Sequence, residues 1–351
     1  MTEEISTTSE MSVAVTATGM TQITGGSYMT SSSAARSSHV YFYFQWAVLV
    51  IGVVGTATNA LIIYAIVASK QHKKQVLIVN QNALDLFSSF FLIITYSLRL
   101  CNIQLTGSTG YLLCTLLLSE SLIWGGFVGS SINLAIVSIE RYLKIVHRTW
   151  SKKHLRKWMI YSAAAFAWIG SLIYTLALVF PTTKVIAGVC YPYAFWSSEM
   201  ATVAHMIWSF VSFYAITLLL FIFCYWRILS VIRHQASVMA GHNTSGGSSY
   251  NRIQASVVKT MVLVSVLYAI TFMPNYVSGL LQYLLPNLPI RNTGYHYASV
   301  FMVFLYICVN PFIYATKLDP VKEILLRMIP CKKISEQATE NVATGPSGNT
   351  T

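Results

Sequence analysis

The sequence predicts an all-α membrane protein, a bundle of seven transmembrane helices with a short amphipathic eighth helix. Three observations predict it. Of 351 residues, 55% are hydrophobic and only 10% charged, against about 25% charged in an average soluble domain, so the chain asks for a lipid solvent. Seven long, nearly uncharged stretches recur, each able to supply the roughly 20 apolar residues that cross a hydrocarbon core with backbone bonds closed inside a helix. The basic residues crowd onto alternate connections, the pattern that sets orientation in a membrane.

Residues 1–40 open MTEEISTTSEMS, with acids where a signal peptide has its positive charges, and stay Ser/Thr-rich. They read as a disordered extracellular tail open to O-glycosylation, which leaves the first span to act as the targeting signal. The bundle occupies 41–317. Its uncharged stretches are 37–69, 75–98 (broken by Asp85), 101–139 (broken by Glu120), 158–183, 200–226, 260–290 and 292–316. With the N-terminus outside, nineteen of the 23 Lys and Arg fall on the cytoplasmic side, leaving Arg36, Arg99, Lys184 and Arg291 outside. The expected place is the plasma membrane, multi-pass, with the C-terminus cytoplasmic. HQASVMAGHNTSGGSSYNRIQ, between spans five and six, has the composition of a flexible linker. Residues 318–331 place Val321, Ile324, Leu325 and Met328 at helical spacing against Lys322 and Arg327, which describes a helix lying on the membrane surface. Cys331 is a candidate palmitoylation site, and 332–351 reads as a disordered cytoplasmic tail.

Composition also excludes. The net charge of +12 sits in short loops rather than in aromatic-interleaved patches, so no nucleic-acid partner is expected. Six cysteines without a Cys-x-x-Cys pair leave room for one structural disulfide and no zinc site. Neither a His-Glu-x-x-His spacing nor paired aspartates occur, so the chain is not expected to be an enzyme. A transporter or channel is the alternative, motivated by Asp85 and the glycines of span three. It would require inverted repeats and several paired intramembrane charges, which this sequence lacks.

Polar residues at membrane depth are costly and point to function. Asp85 is the clearest. In span three Ser130 and Arg141 are eleven residues apart, close to three turns, with Asn133 about 60° round from Ser130 on the same broad face. Glu140 and Arg141 end that span beside Tyr142, an arrangement suited to an internal ion pair that breaks on activation. In span seven Pro311 frees a carbonyl, Asn310 can bond backbone or water, and Tyr314 follows one turn later, making a deformable point.

Taken in helix order, these residues resemble the rhodopsin-like receptor family from Tyr41 to about Cys331. Asn59 is similar to the family's asparagine of helix one, Asn80 and Asp85 to its pair in helix two, and Glu140-Arg141-Tyr142 to its Asp/Glu-Arg-Tyr motif. Trp168, Tyr225 and Pro274 match the characteristic residues of helices four, five and six, and NPFIY matches Asn-Pro-x-x-Tyr. The resemblance implies a ligand-driven outward swing of span six that frees Arg141 for Tyr225 and Tyr314 and opens a cavity for a heterotrimeric G protein, with arrestin as a further partner. It implies a sodium ion at Asp85, Ser130 and Asn310 as the sole candidate cofactor. It also implies a disulfide from Cys114 to Cys190, with Cys101 as competitor. Cys114 precedes Arg141 by 27 residues, two more than the family's usual spacing. Departures mark the switch: Thr217 stands where the family has proline, Phe272 where it has tryptophan, Thr271 where cysteine is common, and Gln254 where some members carry an acid that locks Arg141.

The resemblance also constrains the ligand. Ile123 stands where amine receptors carry an aspartate and Phe304 where opsins carry the retinal-linking lysine, which disfavours biogenic amines and light. The outer half offers Tyr96, Arg99, Glu120, Trp124, Glu199, His205, Phe272, Tyr276, His296 and Phe304, an aromatic set with a few charges of both signs. Peptide, lipid and small neutral ligands stay open.

Overall fold

In lipid the peptide groups have no water to bond, so each apolar stretch closes its hydrogen bonds as a helix. The computed structural model describes residues 31–72, 75–101, 103–240, 247–285, 293–317 and 319–328. Among them are seven helices long and apolar enough to cross a membrane: His39–Ala68, Val76–Leu100, Gly107–Val146, Lys157–Thr182, Glu199–His234, Val258–Gln282 and Gly294–Lys317. In chain order the elements are α1 (Ser31–Ala68), α2 (Val76–Leu100), α3 (Gly107–Leu113), α4 (Ser121–Val146), α5 (Arg148–His154), α6 (Lys157–Thr182), α7 (Glu199–Ser209), α8 (Ile216–Ala240), α9 (Gly247–Leu284), α10 (Gly294–Lys317) and α11 (Asp319–Met328). Span three is α3 with α4, and span five is α7 with α8. Helix α1 begins at Ser31, ahead of the boundary at 41 that composition suggests. Extending a helix already nucleated by its apolar part costs little per residue.

The bundle is turned inside out relative to a soluble protein. Phe166, Ile222 and Trp226 face outward, while Asn59, Asn82, Asp85, Asn133 and Asn310 are buried among the spans. Small residues let span three approach its neighbours closely. A Cβ added at Gly129 would stand 2.8 Å from a Leu84 methyl and 3.0 Å from the Ala167 carbonyl, and one at Gly125 would stand 3.0 Å from the Thr175 hydroxyl.

Two spans depart from regular α-helix. Span five carries a π-helical stretch at Phe210–Ala215, ending two residues before Thr217, so its deformation occurs without the proline that the family resemblance implies there. Span three is broken by a π-helical stretch at Cys114–Leu118 followed by Glu120 in the left-handed region at φ 61°. A π turn closes its bonds over five residues instead of four. The break thus takes up the surplus between Cys114 and Arg141 and leaves Cys114 within reach of Cys190, to which it is joined with a Cα–Cα distance of 5.4 Å. Cys101 is free and exposed.

Cys190 lies on a small antiparallel hairpin, β1 (Lys184–Ile186) paired with β2 (Val189–Tyr191). Its two-residue turn, Ala187-Gly188, has both residues at positive φ, the backbone a twisted hairpin needs. At the opposite end α11 buries Val321 and packs Ile324 and Leu325 against the core, while Arg327 pairs with Glu323 on its polar side. Cys331 lies outside the described residues, as does the side chain of Gln254.

Candidate functional site

Asp85, Ser130, Asn310, Gln81, Asn133 and Asn80 form one connected network around span two. Asp85 accepts from Ser130 Oγ at 3.0 Å and from Asn310 Nδ2 at 2.9 Å, which ties spans two, three and seven together. Gln81, one turn before Asp85, donates to Ser130 and accepts from Asn133 at 2.8 Å. Asn133 in turn accepts from Asn80 at 2.9 Å, and Asn80 accepts from Trp168 Nε1 at 2.9 Å. Asn59 donates to the Ile307 carbonyl at 3.2 Å, one helical turn from Asn310. Gln81 is unmarked among the polar residues of the sequence, although its i,i+4 relation to Asp85 puts it on the same face. Asn310 Oδ1 stays buried without a hydrogen-bond partner, so the oxygens of Asp85, Ser130 and Asn310 make a donor set chemically suited to a hard cation.

Toward the end that carries Arg141, the tyrosine of span five is held from two sides. Tyr225 is hydrogen-bonded to Ser138 at 2.9 Å and accepts from Ser265 at 3.3 Å, linking spans three, five and six. Glu140 accepts from Lys144 at 2.5 Å, whereas its contact with Arg141 Nε is a loose 3.8 Å. That Nε is buried without a hydrogen-bond partner. Tyr142 instead bonds His147 at 3.1 Å, and Tyr314 is buried.

Between these regions an aromatic stack fills the bundle centre. Phe127 stacks on Phe304 with ring centroids 5.9 Å apart and meets Phe272 edge-on at 5.8 Å. Phe272 also contacts Tyr268 at 4.5 Å and Tyr306 at 5.5 Å. Phe127 and Tyr268 were not singled out from sequence, because a single aromatic in an apolar span carries no periodic signal. Pro274 lies inside α9 and Pro311 inside α10, and each removes a backbone donor next to this stack.

At the disulfide end Glu120 gathers Tyr96 Oη at 2.9 Å, Trp124 Nε1 at 3.3 Å and Arg99 Nη1 at 2.7 Å. Ile123 is fully buried one turn inward. Of the other candidates, His205 stacks with Tyr174 and tilts against Trp196, and Tyr276 meets Phe210 and Tyr214. His296 contacts Tyr297, and Glu199 opens α7 in the exposed first turn. The structure thus brings Tyr96, Glu120, Trp124, Phe272 and Phe304 into one cluster, to which Tyr276 is linked through Tyr214 and Tyr268 and His296 through Tyr297 and Phe44.

Residues 58–314 match a family model described as 7 transmembrane receptor (rhodopsin family). The chain is 24% identical over 292 residues to somatostatin receptor type 5 of Rattus norvegicus, covering 80% of this chain and 76% of that protein. It is 26% identical over 294 residues to C-C chemokine receptor type 8 of Mus musculus, again covering 80% and 76%. The crystal structure of squid rhodopsin superposes with a TM-score of 0.68 at 16% identity, covering 89% of this chain and 93% of that one, which shows a shared fold.

Proposed function

The chain belongs to the rhodopsin family of seven-transmembrane, G-protein-coupled receptors, and on that premise we propose that it reports an extracellular ligand to heterotrimeric G proteins by moving span six. The orientation that serves this function places the disulfide end outside and the Arg141 end in the cytoplasm of a cell bounded by its plasma membrane. The observation that carries the reading is Arg141. Its Nε is buried and unbonded, with Glu140 engaged by Lys144 instead. A buried donor without an acceptor costs about 1–3 kcal/mol, so the resting packing holds a group that gains by meeting carbonyls or tyrosine hydroxyls in an opened cavity. Tyr225, Tyr314 and a G protein's inserted helix are the partners it would meet, and arrestin would use the same opening.

Phe272, at the foot of the aromatic stack, couples ligand contact to Pro274 and the swing of span six. A sodium ion held by Asp85, Ser130 and Asn310 favours the resting packing. Such a ligand-linked shift extends only as far as the ligand's differential affinity for the two packings. The relatives named for somatostatin and for chemokines support a peptide ligand reaching the cluster of Tyr96, Glu120 and Trp124. Cys331, a lipidation site in this reading, would anchor the end of α11.

Cells carrying G-protein dissociation sensors test the proposal. Wild type is expected to give constitutive or ligand-dependent dissociation that Arg141→Ala abolishes. Asp85→Asn should remove its suppression by sodium. Silence from every sensor across a broad peptide library, with both variants indistinguishable from wild type, would sink the coupling reading.

A further inference from the structure

We infer that the Glu120 carboxylate, the Tyr96 ring and the Leu118 carbonyl form a guanidinium site, that Arg99 fills it at rest, and that an extracellular ligand bearing a guanidinium takes it by displacing Arg99. The inference rests on reading the disulfide end as the ligand side. It names the chemistry recognised there.

The occupant shows what the site is built for. Arg99 places Nη1 2.7 Å from Glu120 Oε1 and donates Nη2 to the Leu118 carbonyl at 2.8 Å, while its Cζ lies 4.9 Å from the centroid of the Tyr96 ring. A carboxylate, a carbonyl and an aromatic face around one planar fork are the features that select guanidinium over other cations. Tyr96 and Trp124 also donate to Glu120, so the carboxylate is oriented independently of Arg99 and keeps its position when the guanidinium is exchanged.

The break in span three creates this arrangement. The π-helical stretch ends at Leu118 and Glu120 follows in the left-handed region, which leaves the Leu118 carbonyl turned to Arg99. Left-handed backbone in a non-glycine residue is strained, and such strain gathers at ligand clamps. From the hairpin side Tyr193, itself at positive φ, lies near Ser119 and Glu120. Burial and the nearby Glu120 carboxylate push its phenol above the usual value. Arg99 and Glu120 keep 20% and 12% of their side-chain surface, so the guanidinium can be exchanged without unfolding the bundle.

The full chain in lipid nanodiscs is to be titrated with ethylguanidinium at millimolar concentrations, with N-ethylurea as the neutral isostere, and the thermal midpoint read at each step. Removing the internal competitor should raise apparent affinity, because a site open only part of the time binds weaker by that fraction. Arg99→Ala is expected to bind ethylguanidinium at least about tenfold tighter than wild type, to ignore N-ethylurea, and to lose the response when Glu120→Gln is added. If Arg99→Ala does not reach the cell surface, ethylguanidinium in the medium is expected to restore it, and restoration is the readout. No midpoint rise and no restoration, or a response that survives Glu120→Gln, overturns the inference. Both readouts are independent of G protein, so failure here with sensor coupling intact overturns this site alone. Absent coupling together with a full ethylguanidinium response overturns only its use by a signalling ligand.

Discussion

Gln81 shows how single residues hold this bundle. Its amide nitrogen donates to Ser130 and its amide oxygen accepts from Asn133, so it sits between the acid of span two and the polar face of span three. Gln81→Ala would leave Asn133 Nδ2 with fewer partners in a place water does not readily reach. The expected cost is about 1–3 kcal/mol, seen as a lower thermal midpoint of the purified protein. Gln81→Glu would put a second carboxylate beside Asp85 and should destabilise further unless a cation is supplied, so sodium should raise the midpoint of that variant more than that of wild type. Equal sodium responses in the two proteins would count against the cation-binding role of this cluster. Arg141 illustrates the opposite economy, a buried donor left without its bond at rest.

At the scale of elements, the packing of span three depends on the absence of side chains. Gly129→Ala introduces a Cβ within 3.0 Å of a backbone carbonyl on span four, and backbone cannot rotate out of the way as a side-chain end can. Overpacking of this kind costs about 1–3 kcal/mol. Gly170, on span four, would place its new Cβ no closer than 3.5 Å to the Phe166 ring, an ordinary contact. Gly170→Ala is therefore expected to be neutral, or stabilising by about 0.5–1 kcal/mol through reduced chain entropy. A thermal comparison of the two variants separates the effects, and a neutral Gly129→Ala would contradict the close packing of spans three and four. The same span shows how an irregular element is accommodated: its two surplus residues are absorbed in a π turn and one left-handed residue, with the helix beyond them regular.

At the scale of the whole molecule, the disulfide joins span three to the hairpin across 76 residues of sequence. Closing so long a loop removes much freedom from the unfolded chain, and losing a native bridge typically costs about 2–5 kcal/mol. Cys190→Ser should lower surface expression and the thermal midpoint together. Cys101→Ser should change neither, because Cys101 is free and exposed. Immunoblotting of surface-labelled protein with a thermal scan checks both, and a larger effect at Cys101 would reassign the bridge.

The seven spans were legible because hydrocarbon imposes one rule on every residue of a crossing segment: backbone bonds must close locally and charge must be absent. That rule is written in composition, so a count of uncharged stretches recovers it. Asp85, Arg141 and Asn310 were legible for the converse reason, since a polar group at such depth is an exception that stands out of its surroundings. What the tertiary structure alone decided are relations between groups that look ordinary in sequence. Phe127 joins the aromatic stack, Gln81 bridges Asp85 to Asn133, and Tyr193 lies beside a break in span three that no local propensity announces. The choice of Cys114 over Cys101 as the partner of Cys190, and of Arg99 as the occupant beside Glu120, likewise depends on where separate helices end. Such pairings depend on distances across the bundle, and those follow only from how closely the spans can pack.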